Sequence, residues 1–210
     1  PLVTFAGNMK LHYDRPAEYF EEALVIGNGT MGATLYGGVK KDKISFNDIT
    51  LWTGEPESEN SSPDAFNVIP EIRALLDNED YEGADKAQYK VQGHYSENYQ
   101  PLGTLTIEYL DDTAGISDYH RWLDIGNATA RTQYLKDGKL FTSDYFASAP
   151  DSVIVIRLKS ENKEGIHALL SFDSPLPHSS QVADNEISVE GYAAYHSFPV
   201  YYKAEDKHRY

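Results

Sequence analysis

From Gly103 onward the chain alternates apolar and polar residues in short runs. LTIEYL, YHRWLDI, ATARTQYL, KLFTSDYFA, SVIVIRLK, IHALLSFD, EISVEGYA and FPVYYKA follow one another, separated by DDTAG, GN, KDG, APD, ENKEG and ADN. Runs of this length with a period of two, broken by Asp, Asn and Gly, predict antiparallel strands joined by turns. Asp137-Gly138, between two alternating runs, is the clearest hairpin signal in the chain. The alternation is plain in LTIEYL and ATARTQYL but fails in SVIVIRL, whose continuous apolar run places it between two sheet neighbours or across the centre of a sandwich. Trp122, in YHRWLDI with Tyr119 and Leu123, reads as core.

The stretch from Ala23 to Pro56 adds two or three more strands. Gly27, Gly29, Gly32, Gly37 and Gly38 punctuate strand-favouring residues, and the polar residues Lys40 to Lys43 between ATLYGGV and ISF predict a hairpin loop. ISFNDITLW then carries Asn47, Asp48, Thr50 and Trp52 toward its far end. So many strands exceed one flat sheet and suit two sheets packed face to face, which gives a mainly β fold, an antiparallel β-sandwich. Between Pro63 and Gly93 the pattern changes to a short two-helix excursion. Pro70 suits the first position of a helix EIRALLDN with Ile69, Ile72, Leu75 and Leu76 on one face. Asp80 suits the cap of a second helix, YEGADKAQYKVQ, with Tyr81, Ala84, Ala87 and Val91 on its apolar face, Gly83 as a weak point and Gly93 as a stop.

Charge narrows the partners. With 33 acidic against 18 basic residues the formal net charge is −15, which argues against nucleic acid or an anionic membrane and suits a neutral sugar. The chain has no cysteine, so it holds no disulfide scaffold or thiolate metal site. No apolar run reaches the ~20 residues of a membrane span, and no basic-then-apolar signal opens the chain. Sequons at Asn28, Asn60 and Asn127 are short enough to arise by chance.

The chemistry-bearing residues give no catalytic constellation. Asp48, Glu55, Asp144 and Asp151 are the acids nearest recognisable motifs, and caps, turns or solvated surface are the expectation for each. The seven histidines include no i, i+4 pair on a helix, and the acid-rich run Asp77 to Asp80 lacks EF-hand spacing, so neither a metal nor another cofactor is expected. Gly27, Gly29 and Gly32 match G-x-G-x-x-G, yet a strand-like ATLYGG follows where a nucleotide-binding loop needs a helix. Sugars present apolar faces that stack on exposed rings, and 16 tyrosines, 8 phenylalanines and 2 tryptophans are a large supply. Trp52, at a strand end beside Gly54, is the candidate for substrate stacking or for a domain interface. Asn47 and Gln100 offer amides suited to hydroxyls, against the plainer role of satisfying loop backbone.

Five ordered segments together resemble the opening of glycoside hydrolase family 95, the inverting α-L-fucosidases with some α-L-galactosidases. They are YDRPA (Tyr13 to Ala17), VIGNGTMGATLYGG (Val25 to Gly38), NDITLWTG (Asn47 to Gly54), YQPLGTL (Tyr99 to Leu105) and FASAPDSVIVIRL (Phe146 to Leu158). Val25, Thr30 and the Asp48-Ile49 pair depart from the family pattern. The resemblance implies that residues 1–210 are the N-terminal sandwich, of the super-sandwich type, of a longer enzyme. It implies that catalysis lies in a C-terminal (α/α)6 barrel outside this chain, that the barrel is a partner of this domain, that the substrate is a fucosylated or related glycan, and that the site is bacterial periplasm or exterior. On composition alone, a self-standing carbohydrate-binding module and an autonomous hydrolase remain as other readings.

Overall fold

The computed structural model describes residues 9–54, 64–93, 97–203, 205 and 207–210. The chain forms two compact units, one of residues 1–51 with 100–193 and one of 52–99 with 194–210.

The first unit holds strands β1 (Lys10–Tyr13), β2 (Leu24–Gly27), β3 (Met31–Leu35), β4 (Lys41–Asp48), β5 (Gly103–Tyr109), β6 (Ile116–Asp124), β7 (Thr129–Lys136), β8 (Lys139–Ser148), β9 (Val153–Ser160), β10 (Ala168–Asp173), β11 (His178–Ala183) and β12 (Glu186–Gly191). Two five-stranded antiparallel sheets, ordered β1-β6-β7-β8-β9 and β10-β5-β4-β3-β2, make the expected sandwich, and β11 and β12 pair as a hairpin. Period-two alternation sends Leu24, Ile26, Ala33, Leu35, Ile44, Ile107 and Tyr109 of one sheet against Ala130, Tyr134, Phe141 and Tyr145 of the other. The Asp137-Gly138 hairpin forms as predicted, with Lys136 opposite Lys139 and both turn residues at positive φ.

Several expectations are corrected. SVIVIRL (β9) pairs only with β8 among the described residues, so it is an edge strand whose Ile154, Ile156 and Leu158 pack on the core while Val153 faces outward. FPVYYKA is not a strand, because Pro199 opens a turn closed by the Tyr202 N–H on the Pro199 carbonyl (2.9 Å). HSSQVA, with no apolar alternation, pairs as β11. Trp122 is half-buried on the outer face, whereas Arg121 points to the core side and is 1% exposed.

The β3-β4 connection also lies mostly ahead of the lysines. Strand β4 begins at Lys41, Asp42 is 1% exposed, and the connection is residues 36–40, with its bends at Val39 and Lys40. Gly37 has φ +70, its carbonyl accepts from the Tyr119 hydroxyl (2.7 Å), and a Cβ there would lie 2.7 Å from that oxygen and 2.8 Å from Thr132 Oγ1. Gly37→Ala is therefore expected to cost about 2–3 kcal/mol, combining left-handed strain with overpacking. Urea unfolding checks it, and a loss under ~0.5 kcal/mol would contradict the packing described.

The second unit contains α1 (Ala65–Asp77), α2 (Tyr81–Gln88) followed by a 3-10 turn (Tyr89–Val91), and a short ladder of β13 (His196–Ser197) with β14 (His208–Arg209). Asp80 caps α2 as predicted, its Oδ1 accepting from the Gly83 N–H at 2.9 Å. Pro70 lies inside α1 rather than at its start. The reason is that the half-buried stripe Ala65, Val68, Ile72 and Leu75 runs continuously across it, and the packing of that stripe outweighs the lost backbone bond. Ile69 and Leu76, expected in the stripe, are exposed instead, as is Tyr81.

Candidate functional site

In the second unit the segment Trp52–Gly54 runs beside Glu97–Tyr99. Trp52 forms an isolated antiparallel bridge with Tyr99, and their rings meet at 5.7 Å with a 60° tilt. Trp52 is 55% exposed and Tyr99 42%. This settles one sequence question, since Trp52 is not covered by the helices.

A polar cluster fixes this edge. The Thr53 N–H donates to the Asn98 carbonyl and the Asn98 N–H donates to Thr53 Oγ1, both at 2.9 Å. Thr53 Oγ1 in turn donates to Glu97 Oε2. Glu97 Oε1 lies 2.9 Å from His196 Nδ1 on β13, and the Gly54 N–H donates to the Tyr195 carbonyl at 2.7 Å. Gly54 has φ +85, and a Cβ there would fall 2.3 Å from Glu97 Cγ, so the close approach of the two segments requires glycine. Asn98 Nδ2 donates to the Ser197 carbonyl, and Ser197 Oγ pairs with His208 Nδ1 at 2.8 Å across the β13-β14 ladder. The His196 ring meets Phe198 edge-on at 4.5 Å, and Phe198 stacks on Tyr202 at 4.7 Å.

Burial opposes ionisation of Glu97, but the bonds from Thr53 and His196 override it and hold its carboxyl below the ordinary value. Glu97 is therefore a fixed anion with both oxygens engaged, next to an exposed pair of rings. Such an edge can stack on a flat apolar surface; its described residues bring no second free carboxyl for acid-base hydrolysis.

The other sequence candidates lie in the sandwich unit. Asn47 is half-buried on β4, where its Oδ1 accepts from the Asp48 N–H (3.1 Å). Gln100 is 7% exposed, and its N–H donates to the Leu51 carbonyl at 2.8 Å. Among the acids, Asp48 accepts from Thr50 N (2.9 Å) and Thr50 Oγ1 (2.5 Å), and these bonds lower its pKa. Asp151 accepts from Ser148 Oγ at 2.6 Å. Asp144 is bound by Arg131 Nε at 2.5 Å and Arg157 Nη2 at 2.7 Å; burial works against its charge, but the two guanidiniums prevail and its pKa falls. Glu55 lies outside the described residues. The G-x-G-x-x-G glycines form the β2-β3 hairpin, where Asn28 Oδ1 accepts from the Thr30 and Met31 N–H groups. Sequence reasoning missed Glu97 and His196, which are 99 positions apart and belong to no motif.

The family described as "Glycosyl hydrolase family 65, N-terminal domain" matches residues 11–208. Its number differs from the 95 that the sequence segments suggested, but the relatives carry fucosidase names. The chain is 32% identical over 187 residues to "Alpha-L-fucosidase 2" of Arabidopsis thaliana, covering 87% of this chain and 22% of that protein. It is 30% identical over 171 residues to "Probable alpha-fucosidase A" of Aspergillus niger, covering 76% and 21%, and 27% identical over 145 residues to the Aspergillus oryzae protein of the same name, covering 66% and 20%. It thus spans about a fifth of the length of these curated relatives. The chain belongs to this glycosyl hydrolase N-terminal domain family, and the relatives that it resembles carry α-fucosidase names.

Proposed function

We propose that this domain is the non-catalytic front of an inverting α-L-fucosidase-like or α-L-galactosidase-like enzyme that trims fucosylated or related glycans outside the bacterial cytoplasm. Catalysis belongs to an (α/α)6 barrel, and this domain braces it. The observation that carries the reading is the Trp52–Tyr99 edge, with two large rings exposed on a rigid polar frame. Large exposed rings side by side form the kind of apolar surface that a partner covers. A non-catalytic role also fits the spent oxygens of Glu97 and Asp144, which bind neighbours within the domain.

In the complete enzyme, Trp52→Ala is expected to lower stability or the affinity between domains by ~2–4 kcal/mol while leaving kcat near wild type. Thermal unfolding and steady-state kinetics on a 2-linked fucosyl substrate check it, and the chain alone should release no fucose. An unchanged melting temperature with a raised KM would reassign Trp52 to sugar stacking and favour a carbohydrate-binding module. Fucose release by the chain alone, abolished by replacing one of its acids, would overturn the non-catalytic role.

A further inference from the structure

One end of the sandwich opens into a cleft of about 250 Å³, well apart in sequence from the Trp52 segment. Its floor comes from β5, β7 and β8 through Tyr109, Tyr134 and Phe141; Val39, Ile116 and Ile166 supply apolar walls. The turn from Asn162 to Gly165, closed by the Gly165 N–H on the Asn162 carbonyl at 3.0 Å, forms part of the rim.

Tyr134 is the informative residue. It is 4% exposed, and its ring is stacked between Tyr119 on β6 (6.4 Å) and Phe141 on β8 (4.8 Å), both within 14° of parallel. Both ring faces are thereby taken, so the cleft meets the hydroxyl end of the side chain. Tyr109 also lines the cleft. No described residue hydrogen-bonds the Tyr134 hydroxyl, and its oxygen is not among the buried atoms left unpaired, so it is open to the cleft. A tyrosine with a buried ring and an accessible hydroxyl presents one donor-acceptor group to whatever fills the cleft.

The rim mixes acceptors with donors. Asp111, Asp112, Asp137, Glu164 and Asn162 face Lys136 and Lys139. Lys136 Nζ is held by Asp112 at 2.7 Å and Asp137 at 3.5 Å, so it is already neutralised. Lys139 Nζ reaches Asn162 Oδ1 at 3.2 Å, a long bond that a ligand hydroxyl can replace. Four carboxylates against two ammoniums disfavour an anion. Among the described residues no group of three His, Asp or Glu side chains is arranged to hold a metal ion. Apolar walls, a phenol hydroxyl open to the cleft and a rim of both donors and acceptors are what one neutral polyhydroxylated ring needs. The volume lies below the ~300–1,000 Å³ of larger ligand sites, which limits the occupant to about one ring.

We propose that this cleft binds a single neutral glycosyl unit, with a sugar hydroxyl hydrogen-bonded to Tyr134 and others to Asn162 and Lys139. The site works independently of the Trp52 edge and of whether that edge braces a barrel.

The test uses the chain with methyl glycosides of L-fucose, D-galactose and D-glucose as neutral probes, and D-glucosamine and D-glucuronate as charged ones, followed by saturation-transfer NMR and calorimetric titration. At least one neutral glycoside should bind in the millimolar range or tighter. Tyr134→Phe, which deletes only the hydroxyl, should weaken it about fivefold to tenfold with the melting temperature unchanged, and Asn162→Ala, which removes a half-buried rim amide, should do so by about threefold to fivefold. Trp52→Ala should bind as wild type, so a failure here leaves the bracing role standing and a failure there leaves this cleft standing. The proposal is overturned if no neutral glycoside binds, if glucosamine or glucuronate binds more tightly than every neutral probe, or if both cleft variants bind as wild type.

Discussion

Arg121→Met is expected to destabilise the sandwich by about 3–5 kcal/mol, although methionine fills much of the same space. The guanidinium is buried, yet its partners are mainly neutral. Nε donates to the Arg15 carbonyl and Nη1 to the Glu22 carbonyl, each at 2.8 Å, and the Tyr13 ring lies 4.2 Å from its central carbon. Burial pulls its pKa down, while Tyr119, Tyr13 and Glu22 favour the charge. Replacing a buried ion pair with apolar groups can be neutral because both partners leave together; here two backbone carbonyls would stay behind unpaired. Arg121→Lys is expected to lose nearly as much, since one ammonium on a flexible stem cannot reproduce a planar fork aimed at two carbonyls. The consequence reaches beyond one side chain. Those carbonyls belong to the YDRPA segment and to the 3-10 turn at Phe20–Glu22, so Arg121 ties the entering chain to the sheet. Denaturant unfolding of both variants decides the matter, and a loss under ~1 kcal/mol for either would show that the fork is not what holds the segment.

Arg121 also shows where the sequence stopped being legible. Its strand alternates Tyr119, Arg121 and Leu123 on one face with His120, Trp122 and Asp124 on the other. Reading hydropathy alone, the tryptophan is drawn inward and the arginine outward. The structure reverses this because the inward position offers two carbonyls about 100 positions away in sequence, and no local pattern encodes them. A register shift between Ser117 and His120, with Asp118 at φ +52, further obscures the strand's beginning. By contrast, LTIEYL, ATARTQYL and the Asp137-Gly138 turn were readable because their preferences are local and agree with the fold. The same division holds at the candidate site. Trp52 stood out by residue type and position, whereas Glu97 and His196 acquire meaning only when two distant segments meet. Tyr134 was hidden more thoroughly, since an alternating tyrosine in a strand gives no sign of whether its hydroxyl has a partner.

Asp42 should make stability depend on pH in the direction opposite to the paired surface acids. It was expected in a lysine-flanked loop, but it is buried at the start of β4. There its Oδ2 accepts from the Tyr145 hydroxyl at 2.7 Å and its Oδ1 from the Gly38 N–H at 2.9 Å. Desolvation dominates and pushes its pKa up from 3.8, against the pull of those bonds. A raised acid binds its proton more tightly when folded. Between the unfolded value and the raised folded one, the native state keeps a proton that the unfolded chain has lost, so stability falls as pH rises through that window and is flat above it. Asp144, whose pKa is lowered, contributes the reverse: its stabilisation is present above the unfolded value and is lost as pH falls through the folded one. Asp42→Asn cannot titrate, and its amide can still accept from Gly38 while donating toward Tyr145. The Asn variant should therefore gain on the wild type as pH rises from about 4 toward neutrality, while Asp42→Ala, which strands two buried donors, should lose about 3 kcal/mol across the range. Urea unfolding of all three proteins at steps of pH reads both effects. If the wild type instead gained on the Asn variant with rising pH, the buried carboxylate would be stabilised as an anion, and the hydrogen bonds from Tyr145 and Gly38 would outweigh the cost of burying its charge.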